Sequence, residues 1–262
     1  MSRVMFTIGP FTIHIYGLFL AIAFASGIIL AYRRCAAKGF SVDRALDLFI
    51  VILGSSVVGA RLLFVLVSPQ VFLNDPLRII RIDQGGLVFF GGLIGAIAGS
   101  ILYLRYHGLP ILSTADLLIP SVSLGQAIGR LGCHFNGCCY GIDWHGPFAC
   151  HVADSVNSAM VYQRFPVQIL SSVANLAIFG ILLYMDRKQS WNGKILTGYM
   201  ILYSASRFSL EFLRGDDRGL FVGPFSVSQI ISLCIMVAGI LLMISKRKQN
   251  DERSEVIAQA GS

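Results

Sequence analysis

Three arginines, Arg61, Arg130 and Arg207, stand inside stretches that are otherwise apolar. A guanidinium in hydrocarbon is costly unless it faces a polar cavity and a partner. Glu211 follows Arg207 by four residues, so on a helix the two share a face. One reading of such a pair is an internal ion pair that pins helices together. Two arginines from different spans, however, without enough carboxylates to neutralise them all, leave positive charge over. That excess favours an anionic ligand, because the forked guanidinium donors match a phosphate in a bidentate way. In a membrane the phosphate at hand is a phospholipid headgroup.

A second concentration of reactive groups reads Cys133-His134, Cys138-Cys139, His145 and Cys150-His151, with four of the six cysteines inside eighteen residues. Three chemistries fit it. Cys138 or Cys139 can form a disulfide with Cys133 or Cys150 in an oxidising compartment. Cys133, Cys138, Cys139 and Cys150, with the histidines, offer more than the four ligands of a structural zinc, although the spacing is not the usual C-x2-C. The thiols can also stay unpaired and reactive. Cys35 and Cys234 stand apart and read as packing residues.

The elements that must position these groups follow from composition. The 262 residues are 55% hydrophobic and only 13% charged, with a mean hydropathy of +0.70, too apolar for a water-soluble or disordered chain. The expected fold is all-α: a polytopic membrane protein of about seven transmembrane helices with a small outward-facing loop region. The spans are expected at about 11–32, 45–67, 86–106, 114–133, 167–185, 195–213 and 225–245, as one transmembrane domain over 1–245. The first is read as a retained span, not a cleaved signal peptide, since no small-residue cleavage site follows it. Gly91, Gly95 and Gly99 form a small-xxx-small repeat suited to close helix packing.

The net charge of +7 reflects loop residues that set orientation, not a nucleic-acid surface. If seven spans alternate, twelve of the 21 Lys and Arg fall on one side and six on the other, with three inside spans. The richer side is the cytoplasmic one, with the first span entering from outside. The loop at about 134–166 then faces outward, and the polar tail 246–262 is cytoplasmic, unstructured after Lys248.

The run Gly129-Arg130-Leu131-Gly132-Cys133-His134-Phe135-Asn136-Gly137-Cys138-Cys139-Tyr140-Gly141 resembles the signature G-R-x-G-N-F-x-N-x-E-x-x-G of the prolipoprotein diacylglyceryl transferases. It keeps the first two glycines, the arginine, the second asparagine and the last glycine. His14-Ile15-Tyr16-Gly17, Gly59-Ala60-Arg61, Asp83 to Gly95, Phe165 to Gln168, Tyr203 to Arg214 and Pro224 to Gln229 resemble further family segments in the same order. The similarity covers roughly residues 8–245.

The resemblance implies a transferase of the bacterial inner membrane that moves the diacylglyceryl group of phosphatidylglycerol onto the cysteine thiol of a lipoprotein precursor. It releases glycerol phosphate and needs no cofactor. It implies that Arg130 and Arg207 bind the headgroup and stabilise the departing phosphate, and that Tyr16 and Tyr203 line the site. Glu211 would orient Arg207, while Asn136, Gln168 and Gly141 would shape the cavity and the loop. Arg61 joins the binding set by its intramembrane position. Cys133, His134 and Cys138 depart from the signature, and Phe90 stands where the family has a histidine often assigned to deprotonating the thiol. A phenyl ring accepts no proton, so His134 and His14 become the candidate bases. The departures leave room for another thiol acceptor, or for a non-catalytic lipid-binding, metal- or redox-responsive protein.

Overall fold

The computed structural model describes all residues except 1–3, 9–10, 74–75, 80–84, 154–160, 189–190, 217–220, 223 and 261–262. Asp83 and Gln84 of the third motif lie outside the described residues, as do Arg3, Arg81 and Arg218. The elements run β1 (Val4–Ile8), β2 (Phe11–His14), α1 (Ile15–Ala37), α2 (Val42–Val67), α3 (Gln70–Leu73), a 3-10 turn (Pro76–Ile79), α4 (Phe89–Tyr106) and α5 (Ile111–Asn136). They continue with β3 (Cys150–Ala153), β4 (Val161–Arg164), α6 (Val167–Arg187), α7 (Lys194–Glu211), β5 (Phe221–Val222), β6 (Phe225–Ser226) and α8 (Val227–Ala260). The strands form three separate antiparallel hairpins. The fold is all-α, as composition dictates.

Among the described residues six helices are long and apolar enough to cross a membrane: α1, α2, α4, α5, α6 and the Val227–Asn250 part of α8. The 18-residue α7 is not among them, because it carries Lys194, Arg207 and Glu211. Two expectations change. Residues 11–14 pair as a strand with β1 instead of opening the first span, in keeping with the extended preference of β-branched Thr12 and Ile13. The tail after Lys248 is helical to Ala260, since its Gln, Glu, Arg and Ala residues propagate the helix that α8 has already nucleated.

The chain divides into two compact units, Ala31–Thr114 and the remainder. In the first, α2 packs on α4. A β-carbon on Gly95 would fall inside the Ser55 carbonyl oxygen and within 3.0 Å of the Gly59 Cα, and one on Gly91 would stand 2.5 Å from the Leu63 Cβ. The glycine repeat thus brings the two backbones together, and no larger residue fits there. Gly95→Val should therefore separate α2 from α4, lowering the thermal unfolding midpoint in detergent by several degrees. Gly54→Ala on α2, where a β-carbon would meet nothing within 4 Å, should leave it unchanged.

In the second unit α6 packs on α7 and α7 on α8, and Ile178, Leu182 and Ile195 form a core between α6 and α7 with Ile119 of α5 against it. Side chain to backbone bonds join α5 and α6: Ser123 Oγ donates to the Asn175 carbonyl at 2.9 Å, and the Ala127 carbonyl accepts from Ser172 Oγ at 2.8 Å. Asp116, 1% exposed, accepts from the Gly193 N–H at 2.6 Å and the Leu196 N–H at 2.8 Å. Gly193 has no side chain to cap α7, so a carboxylate from α5 satisfies the first amides of α7 and faces the positive end of its dipole.

Candidate functional site

Arg130, Cys133 and His134 lie one turn apart on α5, so helical periodicity alone puts them on one face. Arg130 is half-buried, and no carboxylate pairs with it among the described residues. Tyr16, on the first turn of α1, packs its ring against α5 at Gly132, between Arg130 and Cys133. His134 rests edge-on against Phe135 and beside Gln168, and its Nδ1 is buried without a hydrogen-bond partner among the described residues. His14 is exposed at the end of β2.

Arg207 and Glu211 form the ion pair that their spacing predicts. Glu211, 1% exposed, is shared more widely: Ser226 Oγ donates to it at 2.8 Å and Arg214 Nη1 lies 3.9 Å away. Arg214 also binds Asp216, Nε to Oδ1 at 2.8 Å and Nη2 to Oδ2 at 2.5 Å, and Asp216 raises the Arg214 pKa above the usual guanidinium value. Ser226 and Gln229 close a reciprocal cap on α8. The Ser226 N–H donates to Gln229 Oε1 at 3.0 Å and the Gln229 N–H to Ser226 Oγ at 3.3 Å. The S-x-x-Q spacing was the signal for this cap, and one serine thereby ties the start of α8 to the end of α7. Tyr203 stacks on Tyr199 at 5.3 Å, whose hydroxyl donates to Gln126 at 2.8 Å.

Arg61 belongs to the other unit and is used differently from a headgroup ligand. Its Nε donates to the Ile79 carbonyl at 2.9 Å and its Nη1 to the carbonyls of Gly85 and Gly86 at 2.6 and 2.9 Å, while Nη2 meets the Arg78 carbonyl. The guanidinium lies 5.5 Å from the ring centroids of Phe64 and Phe72. It pins the connection between α2 and α4, where Gly85 and Gly86 adopt positive φ.

The chain leaves α5 through Gly137, at φ +71°. That reversal folds Cys138 and Cys139 back over Cys133, and the three Sγ atoms lie within 4.8 Å of one another. Asn136 Nδ2 donates to Cys138 Sγ at 3.5 Å, and Gln168 Nε2 to the Cys138 carbonyl at 2.8 Å. The neighbouring Cys133 and Cys139 thiols hold the Cys138 thiol below its ordinary pKa, with Asn136 helping and burial opposing. Cys150 is not in this group: it sits in β3, donates to the Arg164 carbonyl at 3.2 Å, and burial pushes its pKa up. All six cysteines are free thiols in this structure. His145 faces Gln163 at 3.0 Å and His151 is exposed on β3.

Gly141 joins three segments. Its N–H donates to the Phe165 carbonyl at 3.0 Å, the next residue donates to the Leu213 carbonyl at 3.0 Å, and a β-carbon would stand 2.5 Å from the Phe165 oxygen. Only glycine admits this approach, which holds the loop after α5 against the end of α7. Asn136 and Gln168 thus bind at Cys138 and Gly141 fixes the loop that follows, while Ser226, Gln229, Arg214 and Asp216 complete the Glu211 network.

Comparison with known proteins locates this arrangement. The family model for prolipoprotein diacylglyceryl transferase matches residues 3–245. Phosphatidylglycerol--prolipoprotein diacylglyceryl transferase 2 of Clostridium perfringens is 35% identical over 245 residues, covering 93% of this chain and 95% of its own. The Clostridium tetani protein named as the same transferase is 32% identical over 92% of this chain and 96% of its own. A Bacillus mycoides relative with that name is 33% identical over 97% and 96%.

Proposed function

The chain belongs to the prolipoprotein diacylglyceryl transferase family, and from that premise we propose that it moves the diacylglyceryl group of phosphatidylglycerol to the cysteine thiol of a prolipoprotein, releasing glycerol phosphate. It does so as a multi-pass protein of the bacterial plasma membrane. The observation that carries this reading is Arg130, a half-buried cation in a membrane-crossing helix with no carboxylate paired to it among the described residues. Such a group calls for an anion, and the headgroup phosphate is one.

In this reading Arg130 holds the phosphate and stabilises the charge that develops as glycerol phosphate leaves. Arg207 supplies a second guanidinium, oriented by Glu211, and Tyr16 and Tyr203 line the polar site. Asn136, Gln168 and Gly141 set its outward rim. His134 and His14 are the imidazoles available to the acceptor thiol. Arg61 holds the connection between α2 and α4 within its own unit. α7 is the seventh span, its polar face turned inward. The β1–β2 end lies outside, and Lys246, Arg247 and Lys248 on α8 are cytoplasmic.

The test is transfer of labelled diacylglycerol from phosphatidylglycerol to a lipobox peptide by the purified protein in lipid. Label on the peptide cysteine is expected. A folded protein that binds phosphatidylglycerol but leaves the peptide unlabelled would sink the proposal.

A further inference from the structure

We propose that Cys133, Cys138 and Cys139 bind one Zn²⁺ through three thiolates, and that its open fourth position takes the acceptor's cysteine thiol and presents it as a thiolate to the diacylglyceryl donor. This deepens the transfer reading above and rests on it.

The three Sγ atoms already lie within 4.8 Å of one another. Thiolates on a tetrahedral zinc at 2.3 Å are roughly 3.8 Å apart, so the set has to contract by at most about 1 Å. The backbone is shaped for this. Gly137 reverses the chain at φ +71°, and Cys139 itself holds φ +58°, a conformation a non-glycine residue rarely adopts. The donors are all sulfur, which selects a thiophilic cation over Mg²⁺ or Ca²⁺.

The number of ligands decides the type of site. Neither Cys150, engaged with the Arg164 carbonyl in the β3–β4 hairpin, nor a histidine or carboxylate joins the trio among the described residues. Three protein ligands and an open position are the pattern of a reactive zinc, whereas a structural zinc is closed by four. The trio also stands beside the proposed phosphate site, because Cys133 follows Arg130 by one turn of α5 and the Tyr16 ring packs on α5 at Gly132 between them.

The chemistry needs no redox partner. The acceptor thiol displaces a zinc-bound water and its proton passes to solvent, since a thiol that coordinates the metal is deprotonated. The bound thiolate sulfur attacks the glyceryl carbon and a C–S bond forms. The C–O bond to phosphate breaks, and its electron pair leaves on glycerol phosphate. The product thioether, a neutral and weaker donor, gives its place back to water.

The experiment uses the reduced, purified full-length protein. Zn²⁺ titration against a competing chelator should show one equivalent bound, with affinity falling in Cys138→Ser by at least the roughly 100-fold that loss of an outer partner of a ligand costs and unchanged in Cys234→Ser. X-ray absorption at the zinc edge should show three sulfurs, rising to four when a lipobox peptide is added. Chelation should abolish transfer while phosphatidylglycerol binding persists, and Zn²⁺ should restore it. No stoichiometric Zn²⁺ binding, a sulfur shell indifferent to the peptide, or full transfer by the chelated protein would each overturn the proposal. A fourth sulfur without transfer in any form would support the zinc–thiol site and overturn the transfer reading instead.

Discussion

Replacing Arg130 by alanine should lower diacylglyceryl transfer by on the order of 10²–10³-fold, the loss expected when one preorganised donor to a developing oxyanion is removed. The direction follows from the charge balance along α5. Arg207 and Arg214 are answered by Glu211 and Asp216, but no carboxylate pairs with Arg130 among the described residues. Its charge is therefore available to a phosphate, and its partial burial leaves the interaction less screened than in bulk water. The loss should fall mainly on kcat, because negative charge on the leaving phosphate peaks in the transition state. Arg130→Lys should recover only part of the rate, since an ammonium keeps the charge and loses the bidentate fork. Initial rates with labelled phosphatidylglycerol and a lipobox peptide decide the matter. Full activity in Arg130→Ala, with Arg207→Ala equally active, would remove both arginines from the headgroup site.

The second large effect is on stability. Glu211→Ala should destabilise the protein by about 3–5 kcal/mol, the range for breaking a buried ion pair by deleting one partner. The carboxylate is 1% exposed and is shared by Arg207, Arg214 and Ser226. Without it two guanidiniums remain at the end of α7 with Asp216 as the carboxylate bound to one of them, and the Ser226 hydroxyl that ties α8 to α7 loses its acceptor. Glu211→Gln should cost less, because the amide keeps an acceptor oxygen for Ser226 while giving up the charge. Thermal unfolding of purified protein in detergent reads both variants. An unfolding midpoint for Glu211→Ala equal to that of the wild type would show that the network is not what holds α7 and α8 together.

Whatever depends on composition or on neighbours a few residues apart was legible before any tertiary structure. Sparse charge and long apolar runs dictate membrane-crossing helices wherever the chain folds. A period of 3.6 residues puts Arg207 against Glu211 and aligns Arg130 with Cys133 and His134. The Gly91, Gly95 and Gly99 repeat announces a close helix contact, and Ser226 to Gln229 spells a helix cap. These are local consequences of backbone geometry, so they survive ignorance of the tertiary path.

Tertiary structure alone decided the rest. Only the path of the chain shows that the close contact is between α2 and α4, or that Glu211 also binds Ser226. It alone assigns Asp116 to the start of α7, 77 residues away in sequence, and commits the Arg61 guanidinium to carbonyls of its own connection. It also sorts the cysteines: four crowd one stretch of sequence, but the turn at Gly137 gathers Cys133, Cys138 and Cys139 while the β3–β4 hairpin carries Cys150 away. Residue types say which groups are able to react. The few backbone angles that bend the chain decide which of them meet, because a side chain reaches only a few ångströms from where the backbone puts it.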